Sequence, residues 1–117
     1  TTKGIDENAL AAYNAPFPDD DHKQGVRQFP NLVPGTPRTP SAEPNKEAWK
    51  ILREWKKPFL CAFSDKDPIF SGVENSFYKL IPGCKDMPHV TIEDAGHFLQ
   101  EDQPEACVDA ILSIKDI

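Results

Sequence analysis

Apolar positions in the second half of the chain form two kinds of pattern, short runs typical of strands and longer stretches with helical spacing. Short apolar runs at Phe59–Phe63 and Val90–Ile92 predict strands, and the first is apolar throughout, as in a parallel strand covered on both faces. Helical spacing recurs at residues 45–55, at residues 73–81 and from Pro104 onward. The resulting order, α-β-α-β-α, predicts an α/β fold with a parallel sheet and flanking helices.

The beginning of the chain has a different pattern, in which short helical stretches are broken by prolines. Residues 7–13 predict a helix, and the acidic run at residues 19–21 predicts the start of a second helix, because negative charge favours a helix N-terminus. Pro30 ends or kinks that second helix. His22 is expected at the surface.

Residues 34–44, PGTPRTPSAEP, contain too few apolar side chains to pack as an element and are interpreted as a connector. The sequence therefore predicts one domain over residues 1–43 and another over residues 44–117. A parallel sheet buried on both faces needs more than two strands. We expect the chain to be the C-terminal part of a longer fold, or to pair with another chain.

Composition narrows the possible functions. The net charge of −6, without a basic run, argues against nucleic acid and against an anionic membrane surface, and no apolar stretch approaches bilayer-spanning length. Cys61, Cys84 and Cys107 lack metal-ligand spacing and are interpreted as buried free thiols, which indicates a reducing, cytoplasmic location. We expect no metal and no cofactor.

Candidate chemistry lies just after the two predicted strands. Asp65 and Asp67 follow the first strand, and His97 follows the second after Gly96, so an acid and an imidazole share the carboxyl edge of the sheet. An acid that orients a histidine is two thirds of a nucleophile–His–acid triad, in the chain order of α/β-hydrolases. Spacing alone does not choose between the two aspartates. His89, where the second strand begins, is a weaker candidate.

Four segments carry a resemblance to a known family: APFPD at 15–19, GVRQFP at 25–30, AFSDKDPI at 62–69 and DAGHFLQE at 94–101. Together they resemble the haloalkane dehalogenases. The resemblance implies the C-terminal part of an α/β-hydrolase core joined to part of a helical cap. It puts the family's acid on Asp67 and its base on His97.

The resemblance also implies the reaction, which is hydrolysis of a haloalkane to an alcohol and a halide through an aspartyl-ester intermediate. In that scheme His97 activates water and Asp67 supports the imidazolium, and the partners are a small apolar halogenated substrate, water and a halide ion. Phe29, Pro30 and Val33 match cap positions that line the pocket in similar enzymes, and Ile69, near the acid, is expected to face the pocket as well.

The chain departs from the family pattern in lacking a nucleophile elbow, so we expect it to be inactive alone and to need the N-terminal part of the fold. Two alternatives remain. An epoxide hydrolase fragment would need ring-opening cap tyrosines. The two tyrosines of the sequence are Tyr13 and Tyr78, and Tyr78 is on a predicted core helix, which counts against this alternative. A non-enzymatic truncated piece would associate with a partner chain. Trp49 and Trp55 are expected to pack in the core.

Overall fold

The computed structural model describes residues 1–114, which divide into two compact units. The helical unit comprises residues 5–51. The core unit comprises residues 1–4 together with the residues from 52 onward. The predicted division into a cap part and a core part stays a prediction.

The helical unit contains short helical segments interrupted by turns. In chain order they are α1 (Glu7–Asn14), a 3-10 turn (Asp21–Lys23), α2 (Gln24–Gln28), a second 3-10 turn (Phe29–Leu32) and α3 (Ala42–Leu52), whose last residue lies in the core unit. Asp6 caps α1, since its carboxylate accepts a hydrogen bond from the Ala9 amide at 2.8 Å. Pro30 marks the change from α2 to the second 3-10 turn, which confirms the predicted end or kink. His22 is exposed, as predicted.

Helix α3 differs from the prediction at both ends. It begins at Ala42, inside the predicted connector, because Pro44 falls in the first turn, where a missing N–H leaves no helical bond unmade. It ends at Leu52, so Trp55 lies beyond the helix and is 37% exposed. The prediction that Trp55 packs in the core is therefore wrong, whereas Trp49 is half-buried.

The core unit confirms the predicted order of strand, helix, strand and helix. Its elements in chain order are β1 (Ala62–Ser64), α4 (Glu74–Leu80), a 3-10 turn (Pro82–Cys84), β2 (Val90–Ile92), α5 (Leu99–Asp102) and α6 (Pro104–Ser113). The two strands are parallel, with Ala62 opposite Val90 and Ser64 opposite Ile92. Both strands therefore end at the same edge, which brings the loops that follow them together.

Strand β1 is shorter and more exposed than predicted. The predicted run Phe59–Phe63 pairs only from Ala62 onward, and the side chains of β1 are half-buried rather than covered on both faces. The reason is that the described residues form a sheet of two strands. One face is partly covered by α4, where the Phe77 ring packs against Phe59 and Phe63 at centroid distances of 6.0 and 5.9 Å.

The main hydrophobic cluster lies between the sheet and α6. Ile92, Ala95 and Ala110 are its buried centre, with exposed fractions of 1%, 0% and 5%. Ile111, one of the apolar residues whose helical spacing predicts α6, is not part of this cluster and is 67% exposed. An open groove of about 350 Å³, which we call the apolar groove, is lined mainly by apolar side chains: Leu60, Ala62, Leu99, Cys107, Ala110, Ile111 and Ile114, with Gln100.

The cysteines and His89 complete the core unit. Cys61 and Cys84 are buried free thiols as predicted, but Cys107 is only half-buried because it borders the apolar groove. Burial, reinforced by the adjacent Cys84, raises the pKa of Cys61 to about 12. His89 accepts the Cys61 amide at Nδ1 and bonds the Cys84 carbonyl through Nε2, so both ring nitrogens join backbone segments. Among the helices of residues 1–114, none has the length and apolar character that a membrane span requires.

Candidate active site

The loops after β1 and β2 bring Asp67 and His97 into contact. The Nδ1 atom of His97 lies 3.0 Å from Oδ2 of Asp67. The parallel pairing continues past the strand ends, where the Lys66 amide donates to the Ala95 carbonyl at 3.0 Å. The two loops are therefore held in register by backbone bonds, and this places an acid against an imidazole at the carboxyl edge of the sheet.

Asp67 is a buried, hydrogen-bonded carboxylate with an exposed fraction of 8%. Its other oxygen, Oδ1, accepts the amides of Ile69 at 2.7 Å and Phe70 at 3.2 Å, which closes a turn at Pro68. Burial by itself would raise the pKa of Asp67, but the bonds from Ile69, His97 and Phe70 outweigh it and hold the pKa below its ordinary value. The carboxylate is therefore ionised at neutral pH.

The ionised Asp67 determines the tautomer of His97. A carboxylate can only accept, so Nδ1 of neutral His97 must carry the proton and donate it, which leaves the lone pair on Nε2. The side chain of His97 is 34% exposed, and the rings of Phe70 and Phe98 flank it at centroid distances of 5.4 and 5.2 Å. This arrangement suits an imidazole that accepts a proton from water.

Asp65, the competing acid, has a different partner. Its Oδ1 accepts the amide of Ala95 at 3.1 Å, two residues before His97. Burial would raise the pKa of Asp65, but the amides of Ala95 and Asp94 and the Lys66 cation lower it overall. The geometry therefore assigns the contact with His97 to Asp67 and a backbone contact to Asp65.

The four predicted pocket residues fall in two places. Ile69 lies beside the acid in the core unit and is 63% exposed. Phe29, Pro30 and Val33 lie together in the helical unit, on the second 3-10 turn and at its C-terminal end. Their roles in binding substrate stay predictions.

Two other expectations concern metals and tyrosines. Among residues 1–114, no group of three or more His, Cys, Asp or Glu side chains is arranged to hold a metal ion. Of the two tyrosines considered for an epoxide hydrolase, Tyr13 lies on α1 of the helical unit. Tyr78 lies on α4 of the core unit, where its ring packs against His89 at a centroid distance of 4.3 Å.

Sequence reasoning missed Asp102. This residue is 3% exposed, and its carboxylate accepts the Gly96 amide at 2.8 Å next to His97. By its position two residues before Pro104, Asp102 resembles the cap of the following helix, which suggests no other role. In the structure Gln103 occupies the N-cap position of α6. The N-terminal residues Thr2 and Lys3, which carry no sequence signal, also bond to Asp102.

No family model matches the sequence. Comparison with curated proteins does find relatives, and all three described here are haloalkane dehalogenases. The chain is 50% identical over 105 residues to a haloalkane dehalogenase of Psychrobacter cryohalolentis, a match that covers 90% of this chain and 35% of that protein. It is 41% identical over 113 residues to a haloalkane dehalogenase of Mycolicibacterium paratuberculosis, covering 97% of this chain and 37% of the relative. Haloalkane dehalogenase 1 of Mycobacterium tuberculosis is 40% identical over 113 residues, with the same coverage of both chains.

These relatives match nearly the whole chain, whereas the chain spans only 35% to 37% of their length. The resemblance drawn from four short motifs is thereby confirmed across the entire matched segment. The acid–histidine pair described above lies in a chain that is homologous to the haloalkane dehalogenases and corresponds to about a third of each.

Proposed function

We propose that this chain is the part of a haloalkane dehalogenase that carries the base and its supporting acid. The reaction is hydrolysis of a carbon–halogen bond, and the two parallel strands form part of an α/β-hydrolase sheet. The observation that carries the proposal is the 3.0 Å contact between His97 Nδ1 and Asp67 at the ends of adjacent parallel strands. Similarity to haloalkane dehalogenases over 90% of the chain supports the same assignment.

The proposed chemistry has two steps. In the first, an aspartate carboxylate on the rest of the enzyme attacks the halogen-bearing carbon, and the halide leaves with the bonding electron pair. In the second, water attacks the carbonyl carbon of the resulting ester while His97 takes a proton from the water. The imidazolium then returns this proton to the departing alkoxide, which leaves as the alcohol, and the acid that remains loses its proton to solvent as the carboxylate re-forms. Asp67 stabilises the imidazolium that exists during this second step.

Other residues have supporting roles in the proposal. Ile69, near the acid in the core unit, is proposed to contact substrate. Phe29, Pro30 and Val33 of the helical unit are proposed as further substrate-binding residues. Their apolar side chains suit a small halogenated alkane. The sequence holds no nucleophile elbow, so the proposed activity belongs to this chain joined to the rest of a haloalkane dehalogenase, which we call the complete enzyme.

The decisive experiment replaces His97 with Phe in the complete enzyme. A carboxylate nucleophile is already ionised at neutral pH, so expulsion of halide does not need His97, whereas activation of water does. With 1-bromobutane, we expect a burst of about one equivalent of halide, after which turnover nearly stops. Intact-protein mass spectrometry should show the added butyl group.

His22→Phe is the matched control, because His22 is an exposed histidine in the helical unit whose ring bonds Asp19, three residues before it in the chain. This variant should turn over substrate like the unmodified enzyme. A His97→Phe protein that binds substrate but releases no halide and gains no mass would contradict the role given to His97.

A further inference from the structure

Three consecutive residues of one turn donate hydrogen bonds to three different aspartates. We call residues 94–97 the histidine turn. The pairs are the Ala95 amide with Asp65 at 3.1 Å, the Gly96 amide with Asp102 at 2.8 Å and His97 Nδ1 with Asp67 at 3.0 Å. The Asp67 contact belongs to the site described above. Asp65 and Asp102 bond backbone amides, and of these two aspartates Asp102 makes more contacts.

Asp102 ties the histidine turn to the N-terminal segment. Both of its carboxylate oxygens lie 2.9 Å from the Thr2 amide, and Oδ1 also accepts the Lys3 amide at 3.2 Å. The Lys3 ammonium donates a hydrogen bond to the backbone carbonyl oxygen of Asp102 at 2.6 Å. A carboxylate that is 3% exposed thus joins segments that are about 100 positions apart in the chain.

The physical chemistry shows that these contacts are strong. Burial raises the pKa of a carboxyl group, yet the amides of Gly96, Thr2 and Lys3 lower the pKa of Asp102 to about 2. Hydrogen bonds to an ionised acceptor are roughly twice as strong as neutral ones. Asp102 is therefore a charged anchor at neutral pH, and losing its charge would leave several amide donors poorly paired.

The backbone that leads into His97 has little freedom around this anchor. Asp94 has a positive φ of 56°, and Ala95 is completely buried. A Cβ atom on Gly96 would lie 3.1 Å from the Thr2 methyl and 3.5 Å from the Asp102 carboxylate. Because Gly96 directly precedes His97, a shift of this peptide would move the imidazole relative to Asp67.

We propose that Asp102 is a positioning residue for His97: it fixes the Gly96 peptide against residues 2–3 and so keeps the imidazole aligned on Asp67 for the attack of water. The inference rests on the proposed hydrolysis of the ester by His97. The Asp102 carboxylate bonds the backbone amides of Thr2, Lys3 and Gly96, so it acts on the imidazole through the backbone.

The test is Asp102→Asn in the complete enzyme. Asparagine keeps the size but offers one acceptor oxygen, and its NH₂ group would face amide donors. The halide burst should keep its rate and its size of about one equivalent, while hydrolysis of the ester should slow roughly 10- to 100-fold, as expected for a misaligned catalytic group. The low-field proton resonance of His97 Nδ1, which reports the bond to Asp67, should broaden or move upfield.

Two control variants separate positioning from a general loss of stability. Asp94→Asn changes a carboxylate of the same turn that is 68% exposed in its side chain and pairs with Lys66, and it should leave both steps unchanged. Ile81→Val weakens a core position that is 2% exposed, outside the histidine turn. It should lower the melting temperature without altering the ratio of burst rate to hydrolysis rate.

Gly96→Ala disturbs the same contacts between Gly96, Asp102 and Thr2 without removing a charge. This variant keeps the proposal testable if Asp102→Asn does not fold. Its added methyl presses on Thr2 and Asp102, so it should slow hydrolysis and spare the burst, to a smaller degree than Asp102→Asn. An unchanged hydrolysis rate and unchanged Nδ1 resonance in the folded variants would overturn the proposal, as would an equal loss in Ile81→Val.

The His97 resonance also separates this proposal from the proposed function. It can be recorded whether or not the protein consumes haloalkane. If the unmodified complete enzyme releases no halide but Asp102→Asn still disturbs the resonance, the function fails and the positioning of His97 by Asp102 stands. If halide is released and the resonance does not respond to Asp102→Asn, the positioning role fails and the function stands.

Discussion

The histidine turn and the apolar groove both lie in the core unit, but they differ in how far this chain supplies their contacts. In the turn, Ala95, Gly96 and His97 each donate to a carboxylate at 2.8 to 3.1 Å. In the groove, Ile111 is 67% exposed beside an open volume of about 350 Å³. The three donors of the turn therefore find acceptors within this chain. The apolar side chains of the groove are not covered by the residues described.

The difference follows from how the two kinds of interaction work. A hydrogen bond is short and directional, so a few donors and acceptors from one chain can complete it. Hydrophobic stabilisation scales with the apolar area removed from water, so a sheet needs a packed layer on each face. Substitutions of Asp67 and Asp102, the carboxylates that hold His97 and the Gly96 peptide, should therefore alter chemistry. Substitutions in the groove should alter stability only once the groove is covered.

The largest expected effect is that of Asp67→Asn in the complete enzyme. Asparagine keeps the shape but favours the wrong imidazole tautomer, and loss of an orienting acid can lower turnover on the order of 10⁴-fold. Asp65→Asn is the matched control, because Asp65 lies two positions away and bonds the Ala95 amide instead of the imidazole. Steady-state halide release measures both, and equal losses in the two variants would show that the acid is assigned wrongly.

A second prediction concerns Ile111→Ala, whose cost should depend on whether the groove is covered. In the isolated chain, where Ile111 is 67% exposed, the free energy of unfolding should change by no more than about 0.5 kcal/mol. In the complete enzyme the cost should rise to about 2–5 kcal/mol, as for a buried isoleucine. Urea unfolding of both forms gives the comparison.

Ile92→Ala provides the reference for that comparison. Ile92 is 1% exposed within the chain itself, so its replacement should be costly in both forms. If Ile111→Ala costs the same small amount in the complete enzyme as in the isolated chain, the groove is not an interface with the rest of the fold.

The smallest expected effect is a loss of stability at low pH, where Asp102 becomes protonated. The pKa of Asp102 is lowered from its ordinary 3.8 to about 2, so its contribution to stability is fully present above about pH 4 and is lost as the pH falls through about 2. The difference in melting temperature between unmodified complete enzyme and Asp102→Asn should be constant down to about pH 4 and then shrink.

Ile81→Val, which removes no ionisable group, should keep a constant difference in melting temperature over the same pH range. A difference for Asp102→Asn that persists unchanged below pH 2 would mean that ionisation of Asp102 does not support the fold.

The sequence predicted most of the core unit because its signals are local. Proline at position 104 opens α6, alternating strand and helix periods mark β1, α4 and β2, and the strand ends indicate where chemistry would lie. It could not predict the start of α3 at Ala42, because that helix begins within a proline-rich segment. It also overestimated the burial of Trp55 and Cys107, since periodicity reports an apolar face and not what covers it.

By itself, the sequence determined that an acid and a histidine follow two parallel strands, because strand ends and turn residues are marked by neighbouring residues in the chain. Only the tertiary structure decided which aspartate the imidazole meets, since Asp65 and Asp67 differ by two positions and point to different donors. Only the tertiary structure joined Asp102 to Thr2, Lys3 and Gly96. Contacts between residues about 100 positions apart depend on the packed arrangement of all the elements between them, which no local pattern records.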